Sequence, residues 1–110
     1  MDVPEVDPIE AIRLLNESGA VLLDVREDDE WSAGHAPRAI HIPLGTLDTR
    51  SFDTGVPVVA VCRSGKRSAT AANQLAAAGV IVYNLAGGMQ AWQEAGQPVI
   101  RNDHKTATII

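Results

Sequence analysis

The chain has 110 residues, of which 45% are hydrophobic and 21% are charged, and its formal net charge is −5 at pH 7. This length predicts one domain, and the composition is ordinary for a soluble globular protein. Because 14 Asp and Glu oppose 9 Lys and Arg, the chain lacks the basic surface that a nucleic-acid or anionic-membrane partner requires.

The first predicted element is a helix with a clear N-terminal signal. Asp7 is a suitable N-cap, Pro8 suits the first helical position, and Glu10 is an acid three residues after the cap. Gly19 is expected to end this helix. Residues 1–8 contain no basic segment followed by an apolar core, so no signal peptide is expected.

Strands and helices then alternate along the rest of the chain. In chain order we predict a strand over 21–25, a short helix over 27–33, a strand over 39–42, a turn-rich segment over 44–55, a strand over 58–61, a loop and helix over 64–78, a strand over 80–84 and a helix over 88–95. Such alternation predicts an α/β fold with a parallel sheet covered by helices on both faces. We expect a single domain over 1–110. Its core spans about 7–99, and 100–110 form a C-terminal extension, either a short strand or an ordered tail.

The cysteine count limits both chemistry and location. With Cys62 as its single cysteine, the chain cannot form an internal disulfide, a Cys-x-x-Cys redox pair or a metal centre of several thiolates. The three histidines are scattered, and no apolar run approaches the length of a membrane helix. We therefore expect a cytoplasmic protein with no metal, no cofactor and no membrane partner.

The loop after the strand over 58–61 is the strongest functional signal. Cys62 lies between this strand and a predicted helix, followed at once by the cations Arg63, Lys66 and Arg67. Loop amides and the partial positive charge of a helix start favour a thiolate over a thiol. A buried, inert cysteine is the alternative. We favour a reactive thiol, because open α/β sheets bind ligands at the carboxyl ends of their strands.

Three segments in order carry a resemblance to a known family. They are residues 23–27 (LDVRE), 62–68 (CRSGKRS) and 85–92 (LAGGMQAW). Together they resemble the single-domain rhodaneses, a family of sulfurtransferases, over about residues 21–99. The resemblance implies a rhodanese-like fold, with a parallel central sheet of about five strands and helices on both faces.

The same resemblance implies covalent sulfur transfer through Cys62. The thiolate would attack the outer sulfur of a small anionic donor such as thiosulfate and expel sulfite. The resulting persulfide would be held by the backbone amides of residues 63–67, and cyanide or a thiol would collect its sulfur. A protein-to-protein sulfur relay, with a thioredoxin-like or sulfur-carrier partner, is the alternative use of the same persulfide.

The length of the loop argues against a third reaction. Phosphatases and arsenate reductases of the Cys-x5-Arg type need an arginine six residues after the cysteine. That position is Ser68 here, and Arg67 comes one residue too early. The shorter loop suits the sulfur atom of a persulfide rather than a full phosphate group. Sulfur transfer is therefore favoured over phosphate chemistry.

The other residues of the loop have both binding and structural interpretations. Arg63, Lys66 and Arg67 are expected to bind the anionic donor, although pairing with the acids at 27–30 is an alternative, for Arg67 in particular. Gly65 would permit backbone angles that a side chain obstructs. The hydroxyl groups of this loop suit helix capping, and one of them could donate to the sulfur. These hydroxyl groups belong to Ser64 and Ser68, and Ser68 is the one that could donate to the sulfur.

Residues outside the loop are expected to support it. In the family pattern Asp24 and Arg26 lie beside the active loop, where an ion pair between them would hold it. His35 is expected to be a hydrogen-bonded turn residue rather than a general base. The glycines at 87–88 would let the backbone pass close to the loop. Arg38 replaces the glycine usual in the family, so either this turn differs or a further cation lies near the pocket mouth.

Overall fold

A computed structural model describes residues 2–110. Its five strands form one parallel sheet in the order β1-β5-β4-β2-β3. The strands are β1 (Glu5–Val6), β2 (Val21–Asp24), β3 (Ala39–His41), β4 (Val58–Val61) and β5 (Val82–Leu85). The helices are α1 (Pro8–Glu17), α2 (Asp28–Ala33), α3 (Lys66–Ala77) and α4 (Gly88–Glu94). The predicted α/β class with a parallel sheet of about five strands is confirmed.

One strand of the sheet was not predicted, and another begins two residues later than predicted. The strand at one edge of the sheet, β1, was not expected, because two residues carry no periodic signal; it pairs with β5 through Glu5 and Val6. The strand expected to begin at Val80 begins at Val82. Gly79 has a left-handed φ of 89° and the Val80 amide still bonds to Leu75, so residue 80 belongs to the helix exit rather than to the strand.

The segments that were predicted least sharply are ordered. Residues 44–55 form two short 3-10 turns, Leu44–Thr46 and Thr49–Ser51, and their apolar side chains pack on the core. The C-terminal extension forms one isolated antiparallel bridge, His35 with Ile100, and the Thr108 amide donates to Ala33 at 2.9 Å. Of the two alternatives for this extension, the structure shows the ordered tail.

The core consists of two layers, one on each face of the sheet. Val59 and Val61 of β4 pack in the layer that includes α1 and α4. Val58, Ala60 and then Cys62 alternate to the opposite face and pack in the layer that includes α3. The alternation of side chains along β4 therefore directs the sulfur toward the start of α3.

A buried ion pair fixes the carboxyl end of β2. Arg26 Nη2 donates to Asp24 Oδ2 at 2.8 Å and to the Gly34 carbonyl at 2.7 Å, and both charged side chains are 0% exposed. The predicted ion pair between Asp24 and Arg26 is present, but its hydrogen bonds do not reach the loop that it was expected to hold. The pair binds the end of α2, not the loop after Cys62, so it holds the connection from β2 to β3.

We expect Arg26→Ala to lower the free energy of unfolding by about 3–5 kcal/mol, because it leaves the Asp24 carboxylate buried without its partner. Arg50→Ala is the matched control, since Arg50 forms the same i, i+2 pair with Asp48 on the exposed surface and should change little. Urea unfolding followed by circular dichroism measures both. Equal losses in the two variants would contradict the role of burial.

Candidate active site

Cys62 follows β4 directly, and its residue surface is 1% exposed. The chain then turns through Gly65, whose φ is 113°, into α3. A left-handed φ of this kind is accessible to glycine without steric cost. The turn brings the first residues of α3 back over the sulfur, so Cys62 lies between the end of a strand and the start of a twelve-residue helix.

Hydrogen-bond donors surround the sulfur despite its burial. The Gly65 amide donates to Cys62 Sγ at 3.1 Å, and Ser68 Oγ lies 3.3 Å from it. Burial raises the pKa of the Cys62 thiol, but hydrogen bonds from the Ser68 hydroxyl and from the amides of Ser68, Gly65 and Ser64 outweigh it and leave the pKa below its ordinary value. The pocket therefore favours a sulfur anion.

The amide donors differ in part from those expected. Of the five amides predicted to face the sulfur, residues 63–67, those of Ser64 and Gly65 contribute to the lowered pKa of Cys62, and the amide of Ser68 contributes as well. The other three have no bond to the thiol sulfur among the described contacts.

Arg67 pairs with one of the acids at 27–30, which was the structural alternative to binding a donor. Its Nη1 and Nη2 donate to Glu30 Oε1 and Oε2 at 2.6 and 2.8 Å, a bidentate pair that joins α3 to α2. The hydrogen bond from Arg67 is the largest cause that lowers the pKa of Glu30, from 4.5 to about 2, and Glu30 in turn raises the pKa of Arg67. The charge of Arg67 is therefore balanced by an acid.

The other two cations of the loop are held differently. Arg63 Nε donates to the main-chain oxygen of Ile110 at 3.0 Å. With the Gln90 amide oriented so that its oxygen faces Arg63, the two Nη atoms donate to it at 3.1 and 3.2 Å. Lys66 is exposed. Within residues 2–110 neither Arg63 nor Lys66 pairs with an acidic side chain, so both retain a positive charge at the loop.

The β5–α4 turn passes close to the loop, as expected. The Met89 amide donates to the Cys62 carbonyl at 2.7 Å, and the Gln90 amide donates to the Arg63 carbonyl at 3.1 Å. A Cβ at Gly88 would overlap the Cys62 carbonyl oxygen and lie 2.5 Å from the Arg63 carbonyl carbon. Gly88 thus allows the backbone of α4 to bind the backbone of the loop.

Asn84 is a polar residue of the site that the sequence interpretation missed. It lies on β5, is 4% exposed and accepts a hydrogen bond from Ser68 Oγ at 2.6 Å. Its Nδ2 donates to the Gly65 carbonyl at 3.1 Å and to Glu5 Oε2 at 3.2 Å. The available signal was an asparagine inside a predicted buried strand, where this residue type is depleted.

Two further expectations outside the loop have clear outcomes. His35 stacks on Trp31 with ring centroids 3.6 Å apart, and its Nδ1 bonds to the Trp31 carbonyl at 2.8 Å, which is a structural turn role. Arg38 donates to Asn16 Oδ1 at 2.6 Å and to the Leu15 carbonyl at 3.2 Å. It therefore caps the end of α1, and the alternative of an extra cation near the pocket mouth is wrong.

Two kinds of feature are absent from the described residues, 2–110. These residues contain no cluster of three or more His, Cys, Asp or Glu that could hold a metal ion. Within the same range, no helix has the length and apolar character needed to cross a membrane.

Comparison with known proteins gives one consistent result. The family model described as "Rhodanese-like domain" matches residues 7–95. The chain is 38% identical over 79 residues to the Bacillus subtilis protein named "Putative sulfurtransferase YtwF", covering 70% of this chain and 77% of that protein. It is similar to the crystal structure of a rhodanese-related protein from Thermoplasma volcanium, with a TM-score of 0.80 and 27% identity over 88% of this chain and 97% of that one. A thiosulfate sulfurtransferase from Pseudomonas aeruginosa matches with a TM-score of 0.74 and 26% identity over 96% of this chain but 21% of that protein.

The pair between Glu30 and Arg67 makes stability depend on acid pH. Because the pKa of Glu30 is about 2 in the folded chain and its ordinary value is 4.5, its stabilising contribution is full above pH 4.5 and is lost as the pH falls from 4.5 toward 2. We expect Glu30→Gln to be less stable than the parent at pH 7, and the difference should shrink through this window. Urea unfolding at several pH values measures it.

The matched control is Glu94→Gln, since Glu94 is exposed and enters no ion pair in the described chain. Its stability should follow the parent at every pH. A Glu30→Gln deficit that does not change between pH 7 and pH 2 would contradict the assignment.

Proposed function

The chain belongs to the family of rhodanese-like domains, and we propose that it is a sulfurtransferase that moves a sulfane sulfur from a thiosulfate-like anion to a nucleophilic acceptor through a persulfide on Cys62. One observation carries the proposal. A sulfur at the carboxyl end of β4 is buried and yet lies within hydrogen-bonding distance of the Gly65 amide and the Ser68 hydroxyl. The sulfurtransferase named in Bacillus subtilis and the thiosulfate sulfurtransferase of Pseudomonas aeruginosa support the same reaction class.

The first step is a displacement at sulfur. The Cys62 thiolate attacks the outer sulfur of thiosulfate and forms a new S–S bond. The bond between that sulfur and the sulfite group breaks, and its electron pair leaves with sulfite. The persulfide left on Cys62 carries its negative charge on the outer sulfur, where fixed amide donors stabilise it without reorganising.

The second step restores the enzyme. A nucleophile, cyanide or a thiolate, attacks the outer sulfur and bonds to it. The S–S bond to Cys62 breaks, and its electron pair returns to the cysteine sulfur as a thiolate. No external oxidant or reductant is needed, because the sulfane sulfur keeps its oxidation level through both displacements.

The cations divide between binding and structure. Arg63 and Lys66 attract the donor, because neither is paired with an acidic side chain in the described residues. Arg67 holds α2 through Glu30 instead. The same pair argues against a phosphatase, since the arginine nearest to a phosphate-binding position is already occupied by a carboxylate, and Ser68 occupies the position six residues after Cys62.

Burial of the sulfur favours a small first substrate. Cys62 is 1% exposed, so a slender anion reaches it more readily than the cysteine of a folded protein. The outer sulfur of a persulfide lies about 2 Å further out, which brings it closer to a partner. A protein acceptor, thioredoxin-like or a sulfur carrier, is therefore compatible with the second step, and a thiolate acceptor in the assay tests it.

We expect treatment with thiosulfate to add the mass of one sulfur atom to the protein and to leave Cys62→Ser unchanged. Steady-state assays with thiosulfate and cyanide should show thiocyanate formation that Cys62→Ser abolishes. Ser64→Ala is the control, since it removes an exposed hydroxyl from the same loop and should retain turnover. An unmodified thiol after thiosulfate treatment would refute the proposal.

We expect Arg63→Ala and Lys66→Ala each to raise KM for thiosulfate about fivefold, the equivalent of about 1 kcal/mol for a solvent-exposed charge near an anion. The effect should shrink as ionic strength rises. Arg67→Ala should instead lower stability, because it removes the partner of Glu30. A larger KM effect for Arg67→Ala than for both others would contradict this division.

A further inference from the structure

The Ser68 hydroxyl has one proton and three acceptors within reach. Ser68 Oγ lies 2.6 Å from Asn84 Oδ1, 3.3 Å from Cys62 Sγ and 3.3 Å from the Gly65 carbonyl. A hydroxyl carries one O–H donor and two lone pairs. One of these acceptors therefore receives the proton at any moment, and the others face lone pairs.

Of the three acceptors, Asn84 Oδ1 lies nearest to Ser68 Oγ and is the one expected to receive the proton. An O–H···O bond of 2.6 Å is at the short end of the usual range. The orientation of the amide is fixed independently, because Nδ2 faces two acceptors, the Gly65 carbonyl and Glu5 Oε2. The Asn84 carbonyl oxygen must then face Ser68.

The consequence for the sulfur differs between its two protonation states. In the thiol form, Ser68 donates to Asn84 and its lone pair faces Cys62, where it can accept the S–H proton. In the thiolate form, that lone pair would face an anion. Ser68 then stabilises the anion only if its proton turns to the sulfur, which leaves the Asn84 oxygen buried without a donor and costs free energy.

We propose that Asn84 is a positioning residue that competes with the Cys62 sulfur for the Ser68 proton and thereby limits how much thiolate the loop holds. The second contact of Asn84 is with the backbone, since its Nδ2 also donates to the carbonyl of Gly65. The inference deepens the proposed function by naming a residue that tunes its nucleophile, and its catalytic meaning rests on that function.

Charged groups from several elements surround this network. Arg67 on α3 lies near Cys62 but is balanced by Glu30 on α2. Arg63 and Lys66 belong to the loop itself. On the far side, Glu5 of β1 contacts Asn84. The ion pair at the carboxyl end of β2, Asp24 with Arg26, carries no net charge.

The test is the pH dependence of Cys62 alkylation by iodoacetamide, which reports thiolate and needs no sulfur transfer. In Asn84→Leu the Ser68 proton is free for the sulfur, so the midpoint should move about one pH unit toward acid. In Ser68→Ala the midpoint should move by less than about half a unit, because Asn84 already holds most of that proton. The double variant should return to the midpoint of Ser68→Ala, since Asn84 acts only through Ser68.

Glu5→Gln is the matched control, because it keeps an acceptor for Asn84 Nδ2 and should leave the midpoint unchanged. An unchanged or alkaline midpoint in Asn84→Leu would overturn the proposal, as would an acid shift that persists without Ser68. Should Asn84→Leu fail to fold by circular dichroism, Ser68→Ala decides alone, and a shift of more than about one unit would refute competition. These outcomes are independent of whether thiosulfate forms a persulfide.

Discussion

The central constraint on this molecule is the stabilisation of the anionic form of a sulfur atom that water barely reaches. Burial alone opposes the anion, and the fold compensates with donors whose positions are set before any reaction occurs. The Gly65 amide is directed by its left-handed backbone, and Ser68 is directed by the first turn of α3. The geometry of a strand, a tight turn and a helix start thus determines the reactivity of Cys62.

The three cations beside the sulfur illustrate how one charge type serves two purposes. Arg67 forms a bidentate pair with Glu30 and joins two helices, so its charge is used within the fold. Arg63 is oriented by a main-chain oxygen and by the amide of Gln90. The Gln90 amide is neutral, so it orients the guanidinium of Arg63 without cancelling its charge.

Much of this arrangement follows from local sequence. The β-branched run predicts strand β4, and the alanine-rich segment predicts helix α3, with the loop of Cys62 between them. These predictions succeed because each element depends on neighbouring residues. The two-residue strand Glu5–Val6 exists only through pairing with β5, so no local pattern predicts it. The partner of Arg67 is 37 residues away, and the sequence offered it only as one of the acids at 27–30, whereas the Asn84–Ser68 bond, which spans 16 residues, was missed. These contacts depend on how the elements pack, which a single sequence does not display.

The contact between α4 and the loop is made by backbone atoms. Amides of Met89 and Gln90 hold the carbonyls of Cys62 and Arg63, and Gly88 has no side chain to intervene. The sulfur is therefore positioned by backbone groups that every amino acid except proline possesses. Side chains on the outer surface of the turn are free to vary without displacing the nucleophile. The position of the Cys62 sulfur thus depends on the path of the backbone and not on the identity of those side chains.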